Sequence, residues 1–489
     1  MKNIQDDNAL YTAFKAHDPR FDGVFYVGVT STGIYCRPVC TARTPKQENC
    51  HFFTSAAAAE KASFRPCLRC RPELAPGSAP VDDAQRIARQ IADRLETSLE
   101  NDESNLEHIA AQYELSSRQI RRIIQKEFGV SPIELLQTRR LLLAKQLLTE
   151  TALPVTEIAF ASGFGSLRRF NDAFLTHYGM PPTQLRKNAA GSAEAATKDH
   201  ITLQLSYRPP YDWETILCFL EGRAMKGVEH IEEGQYCRSV RLSGHTGWLR
   251  VRHAPKGYAL QADVSLSLTP VLPALLHRLR NLFDLAAQPE IIEAHLKQSP
   301  LLKQTVTHHS GLRVPGAFDG FELAVRAILG QQVTVKAATT FAGRVSTAFG
   351  EKITTPWPGV SRLSPTPERI AALKQEDLGA LSIIRTRCES ILALAREMVS
   401  GRLKLDAGTD FATTSAKLTA LPGIGAWTAH YIAMRALRWP DAFVKEDIAV
   451  RNALGGVTPK QAEHISQAWR PWRSYAVLHL WHSLPKKGA

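Results

Sequence analysis

Five of the eight cysteines in this 489-residue chain fall between Cys36 and Cys70. Cys36-x3-Cys40 and Cys67-x2-Cys70 form two short pairs, with 26 residues between Cys40 and Cys67. Two chelating loops of this kind, brought together, offer the tetrahedral four-sulfur shell that structural zinc prefers. Four sulfurs already close that shell, so Cys50, beside His51, reads as a spare thiol. The clustering points to one Zn2+ in a reducing compartment, and eight cysteines in so long a chain are too few for a disulfide scaffold. A second constellation lies downstream. Ala420-Leu421-Pro422-Gly423-Ile424-Gly425 separates two helical patterns, and glycines two apart permit a sharp turn with positive φ. The N–H groups of such a turn, and of the helix start after it, can face a phosphate. After 21 intervening residues comes Asp447, whose ordinary role at such a place would be a helix N-cap. Glu446, the nearest rival carboxylate, is expected to face solvent.

The elements that must hold these residues change along the chain. Residues 1–78 contain the cysteine cluster and end in the breaker-rich RPELAPGSAP. From 82 to 187 apolar residues recur at three- and four-residue spacing, as in LLLAKQLL, which predicts helices. NAAGSAEAATKD, at 188–199, is small and polar with no apolar face and predicts a flexible linker. Residues 200–287 carry short alternating runs such as ITLQLSY and WLRVRH around the helical stretch WETILCFLEGRA, which predicts a small antiparallel sheet with a helix. Residues 288–489 are mostly helical with Pro/Gly breaks. The predicted fold class is therefore multidomain α+β. Lys plus Arg number 60 against 47 Asp plus Glu, a net charge of +13 that favours a polyanionic partner, nucleic acid or an acidic membrane surface. No apolar run approaches the roughly 18 residues of a spanning helix, and MKNIQDDNAL has no signal-type apolar stretch. The membrane is the weaker option, and a cytoplasmic protein is expected. Composition, 44% hydrophobic and 22% charged, excludes a mainly disordered chain.

The surroundings of the cysteines narrow the reading. FDGVFYVGVTSTGIYCRPVCTART followed by FRPCLRCRPE closely resembles the N-terminal domain of Ada-type proteins, which repair methyl phosphotriesters in DNA. The resemblance implies that Cys36 both binds zinc, with Cys40, Cys67 and Cys70, and accepts the methyl group. Four thiolates on one dication leave a net charge of −2, which supplies electron density for attack on a methyl carbon. Methylating one sulfur lowers the charge to −1 and weakens repulsion from DNA phosphates. Thr32, Arg43, Arg65 and Arg69 fall at or near positions resembling the family's phosphate-contacting residues. A solvated surface charge is the alternative for each arginine, and a purely structural zinc finger is the alternative for the domain.

LEHIAAQYELSSRQIRRIIQKEF has the shape of a helix-turn-helix, with a turn around Glu114–Ser116 and a second helix from Ser117 that carries Arg118, Gln119, Arg121 and Arg122. Long polar donors there can reach base edges and phosphates. A second copy, PVTEIAFASGFGSLRRFNDAFLTHYGMPPTQLRK, turns at Gly163-Phe164-Gly165 and presents Arg168 and Arg169. Two such units joined by LQTRRLLLAKQLL resemble the AraC-family DNA-binding domain. An ordinary helical bundle with a basic face is the alternative.

LPGIG followed by Asp447 resembles the helix-hairpin-helix DNA glycosylases, and implies that Gly423 and Gly425 meet DNA. YRPPYDWETILCFLEGRA, FDGFELAVRAILGQQVTV, LPGIGAWTAHYIAMRAL and WRPWRSYAVLHLW resemble AlkA-type 3-methyladenine DNA glycosylase II, from about Leu203 onward. By that resemblance Asp447 is the catalytic aspartate and Trp427, Tyr431 and Trp481 belong to the base pocket. Core packing is the usual alternative for such aromatics. A base alkylated at a ring nitrogen already carries positive charge and leaves without protonation, so one carboxylate suffices where ordinary glycosidases use two. Bifunctional relatives carry a Schiff-base lysine where this chain has Trp427, and no cysteine follows Cys388 to build an iron–sulfur cluster. Gln332 stands where a familiar AlkA-type enzyme has a leucine wedge. The Pro-Cys-His-Arg motif of the alkylguanine transferase that completes ordinary Ada is missing.

The expected organisation is thus an Ada-type zinc domain (1–78), an all-α tandem helix-turn-helix domain (82–187), a linker, an antiparallel α+β domain (200–287) and an all-α helix-hairpin-helix glycosylase domain (288–489). The expected function is excision of alkylated bases of the 3-methyladenine and 7-methylguanine class, fused to a methyl-accepting regulator. Its partners would be double-stranded DNA, alkylated and promoter, with RNA polymerase in addition. A bacterial, nucleoid-associated monomer is expected. The rival is a regulator whose glycosylase half only grips DNA.

Overall fold

The computed structural model describes residues 7–17, 21–72, 75, 88, 90–95, 103–113, 115–189, 199–407, 409 and 411–484. Most of the expected linker 188–199 and of RPELAPGSAP lies outside the described residues. The chain divides into two compact units. The first comprises residues 1–209, 254–277 and 285–287, and the second 210–253, 278–284 and 288–489.

The first unit opens with helix α1 (Asp7–Lys15) and a small sheet of β1 (Tyr26–Val29), β2 (Ile34–Cys36), β3 (Cys50–Phe53) and β4 (Arg65–Pro66), in the order β3-β1-β2-β4. Helix α2 (Ala56–Lys61) lies between β3 and β4 in the chain. Gly33, at φ +64°, provides the left-handed residue that the β1–β2 turn needs. β2 and β4 pair in parallel, with Tyr35 opposite Pro66. That pairing delivers Cys36, the last residue of β2, beside Cys67, the first residue after β4.

Residues 90–95 are helical, and among the described residues α3 (Glu103–Gln112), α4 (Ser117–Phe128), α5 (Pro132–Glu150), α6 (Val155–Ala161), α7 (Leu167–Tyr178) and α8 (Pro182–Ala189) follow. The two expected second helices, α4 and α7, are built alike. Each starts on a serine whose side chain accepts a backbone N–H, Ser116 and Ser166, and each ends on a left-handed glycine, Gly129 and Gly179. α4 buries Ile120 and Ile124, and α7 buries Phe170, Phe174 and Tyr178, so the arginines on both helices are left on the outer face.

Downstream strands are β5 (His200–Ser206), β6 (Glu229–Glu232), β7 (Gln235–Leu242), β8 (His245–His253) and β9 (Ala259–Ser265). β5 pairs antiparallel with β9 in the first unit, and β6, β7 and β8 form an antiparallel meander in the second. The second unit is otherwise helical. Its site is positioned by α9 (Trp213–Glu221), α10 (Gly320–Leu329), α11 (Val335–Phe349), α12 (Arg385–Val399), α13 (Phe411–Thr419), α14 (Ala426–Arg435), α15 (Ile448–Ala453) and α16 (Arg473–Ser483). The LPGIG turn joins α13 to α14, which pack on each other. α10 packs on α14, and α15 packs on α16.

Candidate functional site

The Sγ atoms of Cys36, Cys40, Cys67 and Cys70 all lie within 4.8 Å of one another. Four sulfurs so close share protons. Through its hydrogen bonds, first with Cys40, Cys36 is pushed far above the ordinary thiol range, and bonds from Cys36 draw Cys67 well below it and Cys40 down to about 7. A dication replaces such shared protons, and a four-cysteine donor set of this reach suits a single Zn2+. Arg37 ties the two loops together. Its backbone N–H donates to Cys70 Sγ at 3.3 Å, and its guanidinium pairs with buried Asp22 and donates to the Cys70 carbonyl at 3.1 Å. Cys50 stands outside the cluster, its thiol donating to the Lys46 carbonyl at 3.4 Å.

Thr32 sits on the β1–β2 turn, and Thr32, Arg43, Arg65 and Arg69 are all exposed. The zinc module is fastened to α5 by a buried polar seam. Glu60 accepts from Tyr35 Oη at 2.8 Å and from Thr138 Oγ1 at 2.9 Å, while Lys145 Nζ donates to the Cys67 carbonyl at 3.0 Å. Burial pushes the Glu60 carboxyl up to about 7. Arg71 Nη2 bridges to Thr149 Oγ1 and Glu150 Oε1 at 3.0 and 2.7 Å. Arg118 and Arg121 on α4, and Arg168 and Arg169 on α7, are exposed.

In the second unit Asp447 caps α15, accepting Val450 N–H on Oδ1 at 2.9 Å. The same carboxylate receives two indole N–H groups, Trp427 on Oδ2 at 3.0 Å and Trp481 on Oδ1 at 3.2 Å. Asp447 is thus an N-cap, and the same carboxylate is also held by two of the aromatics grouped with it in the sequence. Trp427 and Tyr431, one turn apart on α14, stack with centroids 5.3 Å apart and planes 7° off parallel. Tyr431 lies 6.5 Å from Trp481, which stacks at 6.3 Å on Phe219 of α9. Two of these four rings therefore bond the carboxylate, and the other two stack against them. Arg435 Nη1 donates to Tyr431 Oη at 2.9 Å, and the Arg223 guanidinium lies 3.8 Å from the Phe219 centroid. Burial alone would raise the Tyr431 phenol, but Arg435 and Arg223 bring it down to about 8. Glu446 differs from expectation, because one of its carboxyl oxygens is buried with no hydrogen-bond partner among the described residues.

The two hairpin glycines serve different needs. Gly423 holds φ +72°, and a Cβ there would stand 2.4 Å from Ser390 Oγ. Gly425 lies at φ −92°, caps α14, and leaves open space where a Cβ would be. Positive φ is thus required at the first only, and close approach from outside is left free at the second. Gln332 is exposed and left-handed at φ +54°. Its neighbour Gln331 locks that turn to the hairpin, donating from Nε2 to the Gly423 carbonyl and to Thr428 Oγ1, each at 2.9 Å. Sequence reasoning missed Phe219, Arg223, Arg435 and Gln331. All four lie inside quoted motifs, but no spacing rule singles them out.

The chain matches the metal binding domain of Ada over residues 9–73, a helix-turn-helix domain over 109–188, the AlkA N-terminal domain over 202–319, and the HhH-GPD superfamily of base excision DNA repair proteins over 325–473. A Mycobacterium tuberculosis protein named "probable bifunctional transcriptional activator/DNA repair enzyme AlkA" is 38% identical over 489 residues, covering 98% of this chain and 97% of the relative. DNA-3-methyladenine glycosylase 2 of Escherichia coli is 35% identical over 279 residues, 57% of this chain and 96% of that one. Among solved structures, a 3-methyladenine DNA glycosylase from Archaeoglobus fulgidus shares the fold, with a TM-score of 0.51 at 20% identity over 57% of this chain and 96% of its own.

Proposed function

We propose a function on one premise: the chain belongs to the AlkA-type bifunctional repair and regulator proteins, a fusion of an Ada zinc module, a helix-turn-helix region and an HhH-GPD glycosylase. It is a DNA glycosylase of that family joined to an Ada-type zinc and regulatory module, acting on alkylated DNA. In finer terms, the second unit hydrolyses the N-glycosidic bond of bases of the 3-methyladenine and 7-methylguanine class. The observation that carries this is Asp447, held at both oxygens by two cage indoles and a helix start.

The target nucleotide is flipped out of the duplex, Gln332 fills the gap, and Gly423 and Gly425 meet the backbone. The cationic base enters the aromatic cage, attracted by electron-rich ring faces. As the glycosidic bond breaks, its electron pair leaves with the base, which becomes neutral. Asp447 stabilises the positive charge developing on the sugar and positions the water that adds there. Trp427 occupies the Schiff-base lysine's place, so the reaction stops at the abasic site.

In the first unit the Cys36 sulfur takes a methyl group from a methyl phosphotriester: the S–C bond forms, the C–O bond breaks, and the phosphodiester keeps the electron pair. Bound Zn2+ holds the four sulfurs as thiolates. The site's charge falls from −2 to −1, and DNA is held more tightly. Thr32, Arg43, Arg65 and Arg69 contact phosphates, and Arg118, Arg121, Arg168 and Arg169 address promoter duplex, with RNA polymerase as a further partner. The domain limits 1–78, 82–187, 200–287 and 288–489 are part of this reading.

Asp447→Asn tests it. Release of 3-methyladenine from methylated DNA should disappear while duplex binding persists. Near-normal release would remove Asp447 from the mechanism, and no release by the wild-type chain would leave a regulator whose second half only grips DNA.

A further inference from the structure

The Tyr431 hydroxyl sits where charge is concentrated. The residue is only 7% exposed, Arg435 Nη1 donates to its oxygen at 2.9 Å, and the Arg223 guanidinium lends it a second positive charge. Arg435 is pinned, donating from Nε to the Pro315 carbonyl at 2.7 Å and from Nη2 to the Gly316 carbonyl at 2.8 Å. Arg223 is laid on the Phe219 ring. Arg326 on α10 adds a third positive charge, while Asp447 at the head of α15 partly offsets the charge of Arg223 and Glu229 on β6 that of Arg326. His482 on α16 senses Arg223. Arginine stays charged throughout the working pH range. With one guanidinium donating to the phenol oxygen and two more adding positive charge around it, loss of the phenol's own proton is favoured.

We propose that Tyr431 reads the charge of the base: entry of a cationic alkylated base drives the Tyr431 proton off to solvent, and the phenolate neutralises the base, with Arg223 and Arg435 as its positioning residues. This rests on the glycosylase reading above. In the step the O–H bond breaks, the electron pair stays on oxygen, and solvent takes the proton. Once the glycosidic electron pair has left with the base, the base is neutral, and the phenolate recovers a proton from solvent. A neutral damaged base supplies no such drive. Because the base still carries part of its charge as the bond begins to break, the phenolate helps the bound and breaking states alike, so it lowers KM and leaves kcat nearly unchanged. A phenol brought down to about 8 by these arginines places the change inside the working range.

The test compares kcat/KM for release of 3-methyladenine, a fixed cation, with that of hypoxanthine, a neutral base, by the full-length protein from pH 7 to pH 9. Taking the ratio cancels the titrations common to both substrates. The cation-to-neutral ratio should rise roughly tenfold, as the phenolate goes from about a tenth to about nine-tenths of molecules, and the rise should lie in KM. Tyr431→Phe, which keeps the ring, should give a flat ratio. Arg223→Met should move the inflection to higher pH. Independently of any base, the ultraviolet difference between the wild type and Tyr431→Phe should show a phenolate band titrating near pH 8. A flat wild-type ratio, an inflection that survives in Tyr431→Phe, or a difference band with no inflection would overturn the proposal. Release of neither base by the wild type is a separate outcome, which overturns the glycosylase reading and this one with it.

Discussion

Helix α16, which carries Trp481, has an acid-labile underside. His479 is 2% exposed, and its Nδ1 has no partner among the described residues. Burial, reinforced by His482, His309 and Lys297, lowers its pKa from 6.5 to about 3. The folded chain therefore keeps His479 neutral where the unfolded chain binds a proton. The associated stability is complete above pH 6.5 and drains away as pH falls from 6.5 toward 3. Each pH unit in that window costs about 1.4 kcal/mol, so pH 5 removes about 2 kcal/mol, a thirtyfold change in the folded-to-unfolded ratio. His482 is shifted in the same direction, mainly by burial. All eight tryptophans lie in the second unit, so their fluorescence during urea unfolding reports on that unit alone. The wild type should lose about 2 kcal/mol more than His479→Leu between pH 7.5 and pH 5. Equal losses in the two proteins would refute the assignment of this acid sensitivity to His479.

After incubation with methyl-phosphotriester DNA, the Cys36 peptide should gain about 14 Da, one CH2, with Cys40, Cys67 and Cys70 unmodified. A label on Cys50 or Cys70 would displace Cys36 as acceptor. Gly423→Ala should lower the urea stability of the second unit by about 2 kcal/mol, through its φ of +72° and the approach to Ser390 Oγ. Gly425→Ala, with open space for its methyl, should stay within about 1 kcal/mol of wild type yet weaken duplex binding in a fluorescence-anisotropy titration. Glu60→Ala removes the acceptor of two buried hydroxyls and should cost about 3 kcal/mol, read as earlier release of zinc to a chromophoric chelator during denaturation.

Where the sequence was legible, the information was local. The four cysteines announce themselves by spacing within two short loops, and β2–β4 pairing only closes a distance that the spacing already required. Trp427 and Tyr431 share a face because helix geometry puts them one turn apart. Phe219, Arg223 and Arg435 reach the same cage from segments roughly 200 residues apart in the chain, and periodicity carries no record of that meeting. Asp447 shows another limit. The residue pattern offered a cap or a site as rivals, although a carboxylate has enough lone pairs to serve both at once. Gly425 shares its residue type with Gly423 but not its φ of +72°, because a glycine with open space at its Cβ looks the same in sequence as one that a left-handed φ requires.

The seam between the zinc module and α5 bears on how such chains can be recombined. Parts of a fusion are freely exchangeable when each is sealed before it is joined. These two are sealed by each other: Glu60 finds Thr138, Cys67 offers its carbonyl to Lys145, and Arg71 reaches Glu150. A foreign zinc module spliced ahead of α3 would bring the wrong groups to Thr138 and to Lys145, which is 1% exposed. The front two modules can therefore travel between genomes only as a single cassette, and a substitution on one side of the seam sets which substitutions the other side will tolerate.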